Sequence, residues 1–170
     1  MTPQDSTQHF HPGPEMGRQL RNALGQFGTG VTIVSTMAAG RPVGVTANSF
    51  TSVSLDPPLV LWSIARTSRR YPAFAEAEHI AIHVLAKHQM PLCRAFAVAP
   101  DAFDAVEWHA GAHDMPLIDG CLARFECERY AEYDGGDHAI LVARVLRAAV
   151  RPGTPLLFCG GQFGQFAAAG

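Results

Sequence analysis

Short apolar and β-branched runs separated by glycines, prolines and small polar residues make up most of the chain, and only short stretches carry a helical period. "MGRQLRNALGQ" (Met16 to Gln26) is followed by Phe27, and Leu20, Leu24 and Phe27 at helical spacing predict a short amphipathic helix. "GVTIVSTMA" (Gly30 to Ala38), the turn signal "AGRP" and "VGVTANSF" predict a β-hairpin. Asp56-Pro57-Pro58 breaks the chain before "LVLWSIA", a continuous apolar run suited to a strand buried on both faces. Between "VGVT" and "PLVLWS" lies a segment of small hydroxyl, amide and alanine side chains, which reads as a loop held beside apolar strands. "SRRYPAFAEA" opens a second helix near Tyr71, "HIAIHVLA" alternates as a strand, and "KHQMPLCRAFA" is helical. "CLARFECERYAEYDGG" and "HAILVARVLRAAV" predict two long strands joined around Gly135-Gly136, and "TPLLFCGGQFGQF" begins as a strand and ends in glycines. The fold class is mainly β: an antiparallel barrel, closed or nearly so, with small flanking helices.

Composition narrows the picture. A chain of 170 residues suits one domain, expected over residues 16–170, after a Pro-, Gln-, His- and Gly-containing arm over residues 1–15 that is expected to be disordered. Charged residues are 16% of the chain, against roughly 25% in a typical soluble domain. A surface that poor in charge points to partial cover by a ligand or a second subunit. A net charge of −2 with no basic stripe argues against nucleic acid as a partner. No apolar run approaches the ~18 residues of a membrane span, and no export signal opens the chain, so a cytoplasmic protein with no membrane partner is expected. Cys93, Cys121, Cys127 and Cys159 are widely spaced, which favours reduced, mostly buried thiols over a zinc site or a redox dithiol.

Candidate chemistry follows the same filter. "GTGVTI" has Ile33 where a dinucleotide fingerprint needs its last glycine, and it precedes a strand, so a Rossmann site is excluded. His79 and His83 share one face of a predicted strand without a carboxylate or cysteine partner, and no metal is expected there. His9, His11, His109 and His113 fall in predicted loops or the arm, where solvent would hold them. "SIARTSRRYP" gathers the hydroxyls of Ser63, Thr67 and Ser68 with the guanidinium groups of Arg66, Arg69 and Arg70 near a helix start. That set suits a phosphate or an ordinary basic surface turn. "DGGDHAILVARV" places Asp137 and His138 between a glycine turn and a β run, where the histidine either caps a strand end or contacts a ligand. No nucleophile triad or carboxylate pair is present, so no catalytic acid or base is obligatory.

Taken in order, these stretches resemble the short-chain flavin reductases, the small components of two-component flavin monooxygenases. "FGTGVTIVST", "GVTANSFTSVSLDPPL", "KHQMPLCRAFA", "FDAVEWHAGAHDMPLIDG", "GDH" and "PLLF" carry the likeness from about Leu20 to Phe163. The resemblance implies a split β-barrel that forms a homodimer and binds FMN or FAD near the subunit interface. NADH or NADPH would be the co-substrate, and an oxygenase component would receive the reduced flavin. It places flavin contacts at Pro42, Val43, Gly44, Val45, Thr46, Asn48 and Ser49, and at Ser63, Ile64 and Ala65. Phosphate contacts would fall at Ser68, Arg69 and Arg70, with Phe96 packed nearby. Nicotinamide contacts would fall at His138, Phe158, Cys159, Gly160 and Gly161. Arg70 stands where many members have Ser or Thr, "FCGGQFG" lacks the family's usual cation, and Arg94 lies one residue early. Two rival readings remain: a non-catalytic electron-transfer flavoprotein, which the "GDH" triplet disfavours, and a barrel oxidase for a phosphorylated pyridoxal-type ligand, which "TANSF" disfavours.

Overall fold

β-Branched and aromatic residues mark most strands of this chain, and residues at positive φ set several of its tight turns. The computed structural model describes residues 7–99 and 102–167. Helix α1 (Gly17–Leu24) follows a 3-10 turn at Pro14–Met16 and leads through the short strand β1 (Thr29–Gly30) into β2 (Thr32–Ala38). Ala39 and Gly40, at φ 49° and 74°, turn the chain into β3 (Arg41–Ala47). Positive φ at both central residues matches the twist of a tight hairpin. A second hairpin, β4 (Thr51–Leu55) and β5 (Pro58–Ala65), precedes α2 (Tyr71–Glu76), β6 (His79–Val84) and α3 (Met90–Val98). A small hairpin, β7 (Trp108–Ala110) and β8 (Pro116–Ile118), is followed by the long pair β9 (Ala123–Gly135) and β10 (His138–Val150). The last hairpin is β11 (Leu156–Cys159) and β12 (Gln162–Gln165).

Seven strands form one antiparallel sheet in the order β3-β2-β6-β9-β10-β5-β4. The two ends, β3 and β4, are linked by residues 48–50 but share no ladder, so the sheet does not close. The architecture is a split barrel. Val34, Val60, Trp62, Phe74, Ile82 and Leu141 belong to one core cluster, while Val31 and Ile33 pack with Leu85, Phe96, Phe103 and Leu156 in another. β2 is thus buried on both faces, which is why its sequence reads as a run and not as an alternation.

Several expectations change. Thr51–Leu55, read as loop, is an edge strand with a bulge between Ser52 and Ser54; its Thr and Val side chains favour extended backbone once β5 offers a ladder. The final glycines end β11 but begin a hairpin rather than a tail: Gly160 and Gly161, at φ 58° and 78°, turn the chain back into β12. His109 and His113 are exposed, as expected, although His109 lies on β7 rather than in a loop and each has a close neighbour. His109 Nδ1 lies 3.4 Å from the Asp119 carboxylate, and His113 stacks on His79 with ring centroids 3.8 Å apart.

His83 is fully buried; its Nδ1–H donates to the Ile33 carbonyl and its Nε2 accepts from the Ile118 amide, each at 3.1 Å. Cys93, Cys121 and Cys127 are buried free thiols, and Cys159 is exposed. Burial raises the first three, Cys127 to about 12, so none of these presents a reactive thiolate. Among the described residues no helix is long and apolar enough to cross a membrane. Residues 1–6 of the expected arm lie outside the described residues, and residues 7–13 carry no regular element.

Candidate functional site

Where β3 runs out toward the bend at residues 48–50, the chain encloses a cavity of about 330 Å³. β3 contributes Val45, Thr46 and Ala47, and the bend contributes Asn48 and Ser49. The end of β5 contributes Trp62, Ser63, Ile64 and Ala65. Ser68 and Arg70 reach it from the turn before α2, Ala97 from α3, and His138 from the start of β10. Most of the expected flavin contacts therefore converge on one site.

Two of its hydroxyls are already committed. Ser49 Oγ accepts from the Ser63 amide at 2.9 Å and donates to the Ser63 carbonyl at 3.1 Å, pinning the bend to β5. Thr46 Oγ1 donates to the Cys93 carbonyl at 2.7 Å, pinning β3 to α3. These short polar side chains fix the walls of the cavity. The free donors lie elsewhere: Trp62 Nε1 and Arg70 Nε are buried with no partner among the described residues. The other end of the Arg70 guanidinium donates to the Ala99 carbonyl at 2.5 Å, and the Arg70 amide donates to Ser68 Oγ at 3.3 Å. Partial burial, and then the charge of Arg69, lower the Arg70 pKa. A bound anion would relieve both. Walls that mix Val45, Ala47, Ile64 and Ala65 with short polar side chains and orphaned N–H donors fit a flat ring system with polar edges carrying a phosphate.

Pro42, Val43, Gly44, Arg69 and Phe96 lie outside this lining. Pro42 pairs with Met37 at the far end of β3, and Val43 packs on the barrel core. A Cβ on Gly44 would meet the Phe96 ring at 2.5 Å and Phe103 at 2.9 Å, so this glycine admits α3 against β3. Phe96 is buried in the second core, edge-to-face with Phe103, and Arg69 is exposed. Of the basic turn, Arg66 is held by Asp134 and the Tyr71 hydroxyl, each at 3.0 Å, and Thr67 is exposed.

His138 pairs across from Ala65, and its Nδ1 lies 2.7 Å from Asp137 Oδ1. That hydrogen bond holds the Asp137 carboxyl below its usual range. With Nδ1–H donating to Asp137, Nε2 is left for a ligand. The remaining expected nicotinamide residues sit apart. Phe158, Gly160 and Gly161 line a separate cleft of about 690 Å³, facing Arg21, Asn22 and Gln26 from the end of α1 and the turn after it. Cys159 is exposed beside it, with its thiol toward the Gln26 carbonyl at 3.6 Å. Asn48 lines both spaces. Trp62, Ala97, Arg21 and Thr29 are lining residues that sequence reasoning missed. Trp62 was hidden in an apolar run, and Arg21 and Thr29 carry no local motif.

A family model described as the flavin reductase like domain matches residues 24–167. The chain is 55% identical over 157 residues to the FMN reductase (NADH) SmoA of Agrobacterium fabrum, covering 92% of this chain and 90% of that protein. It is 50% identical over 130 residues to the reductase component of the flavin-dependent trigonelline monooxygenase of Acinetobacter baylyi. That match covers 75% of this chain and 42% of the relative's length. Among solved structures, the NADH:FAD oxidoreductase SgcE6 of Streptomyces globisporus, in complex with NAD and FAD fragments, superposes with a TM-score of 0.86 at 40% identity. The superposition covers 94% of this chain and 98% of that one. A split barrel whose seam gathers these residues, matched over nearly its whole length, belongs to the flavin reductase like family.

Proposed function

We propose that the protein is an NAD(P)H:flavin oxidoreductase that transfers hydride from NADH to FMN or FAD and supplies reduced flavin to an oxygenase component. The observation that carries this reading is the cavity of Val45–Ser49, Ser63–Ala65, Ser68 and Arg70, with His138 on its rim and unpaired N–H donors in its wall. A bound flavin supplies the ring that accepts the hydride. The chain supplies alignment: the Ser49–Ser63 and Thr46–Cys93 bonds hold the walls, and Asp137 orients His138 toward the ligands. Holding two reactants in register supplies most of what such a step needs, so no proton donor is required of the protein.

Purified protein mixed with NADH and FMN or FAD consumes NADH in a flavin-dependent way; no such consumption with either nicotinamide nucleotide overturns the reading. His138→Ala lowers kcat/KM for NADH by roughly 5- to 150-fold, the loss of one oriented hydrogen bond of ~1–3 kcal/mol. An unchanged kcat/KM removes His138 from the site. The apolar side chains left open on the single chain, Leu24 at 67% and Phe27 at 80% exposure, support a homodimer. The single domain over residues 16–170 and a reducing, cytoplasmic setting complete the proposal, the latter supported by the free thiols.

A further inference from the structure

The turn that presents His138 has little packed on it. Residues 133–137 are all exposed, Gly135 and Gly136 stand at its tip, and Gly136 is at φ 75°. A glycine turn on the surface keeps much of its backbone freedom unless something outside it takes hold. Arg66, the residue after β5, takes hold on both sides. Its backbone amide donates to the Asp137 carbonyl at 2.9 Å, just after the glycines. Its Nη2 donates to Asp134 Oδ1 at 3.0 Å, just before them. Its Nη1 donates to the Tyr71 hydroxyl at 3.0 Å, and the guanidinium carbon lies 5.7 Å from the Tyr71 ring centroid. Tyr71 is anchored in turn, because its hydroxyl donates to Glu132 Oε1 at 2.9 Å. The other oxygen of that carboxylate accepts from Arg129 at 2.8 Å, and Arg129 also donates to the Ala75 carbonyl of α2. Neither Arg66 nor Asp134 lines the 330 Å³ cavity.

We propose that Arg66 is a positioning residue for the reaction: it clamps the two limbs of the β9–β10 turn so that His138 is held at the rim of the cavity. The proposal rests on the flavin reductase reading, in which His138 meets the nicotinamide nucleotide. Arg66 itself touches neither ligand. An ion pair as exposed as Arg66–Asp134 contributes little to the stability of the fold, so its loss is read in the placing of His138 and not in unfolding.

Arg66→Ala lowers kcat/KM for NADH about fivefold, the scale of one exposed ion pair, while the dissociation constant of FMN holds. Asp134→Ala reproduces the fall, and Arg66→Lys, which keeps the charge but not the fork, recovers part of it. In a His138→Ala background the Arg66→Ala change alters kcat/KM by less than about twofold, because the side chain it positions is gone. Nuclear magnetic resonance of the ligand-free protein gives a readout without turnover. The imidazole nitrogen signals of His138, identified by their loss in His138→Ala, shift in Arg66→Ala. An unchanged kcat/KM overturns the proposal, as does an equal fall in the His138→Ala background, which marks Arg66 as a general support of the fold. Weaker FMN binding to Arg66→Ala overturns it as well, and makes Arg66 a ligand of the flavin phosphate. A wild type that oxidises no NADH with any flavin removes the functional reading. The His138 signals then decide: shifted signals leave the clamp standing, and unmoved ones overturn it.

Discussion

His83 shows how one side chain ties distant parts of this barrel together. Its neutral ring gives one hydrogen to Ile33 of β2 and takes one from Ile118 of β8, so both nitrogens are satisfied only without a second proton. Burial is the main reason its pKa falls to about 4, from 6.5 in the unfolded chain. Between these values the unfolded chain binds the proton and the folded chain does not, so stability drops as pH falls from about 6.5 to about 4. At ~1.4 kcal/mol per pH unit the full loss is about 3 kcal/mol, and above pH 6.5 the contribution is constant. Urea midpoints measured across this range trace the decline in the wild type, and His83→Gln flattens it. A wild-type midpoint that does not move between pH 6.5 and 4.5 refutes the assignment.

At the scale of elements, the contact between β3 and α3 is set by a missing Cβ. Gly44→Ala pushes a methyl into the Phe96 and Phe103 rings and costs about 1–3 kcal/mol in chemical denaturation, as overpacking does. An unchanged midpoint would mean that α3 moves aside freely. The hairpin of β2 and β3, and the strands β5, β6 and β10, were legible because β-branched residues and breakers mark them, and β9 because Phe125, Tyr130 and Tyr133 precede the Gly135-Gly136 turn. β4 was not, because "TSVSL" mixes turn-forming hydroxyls with strand formers, and only the free edge of β5 decides between them. The site was legible as a set of positions but not as directions. Gly44 and Phe96 belong to the same matched stretches as Thr46 and Ser49, yet they serve the packing of α3. Arg21 was invisible, since α1 and the β11–β12 hairpin meet only in three dimensions.

For the whole molecule, the open question a single chain poses is what covers its apolar surface. Leu24, Phe27 and Phe166 stand out from the N-terminal and C-terminal segments, and Leu55 is 94% exposed on the edge strand. A second copy of the chain provides that cover in the proposed homodimer. Light scattering at micromolar concentration is expected to give twice the 18.3 kDa chain mass. A fully active monomer would sink this proposal. Asn48 then acquires a meaning beyond either pocket. It sits on the short link that leaves the barrel unsealed, and it borders two spaces with different linings. In the proposed function this position makes the unsealed seam, rather than either cavity alone, the place where the contents of the two spaces would meet.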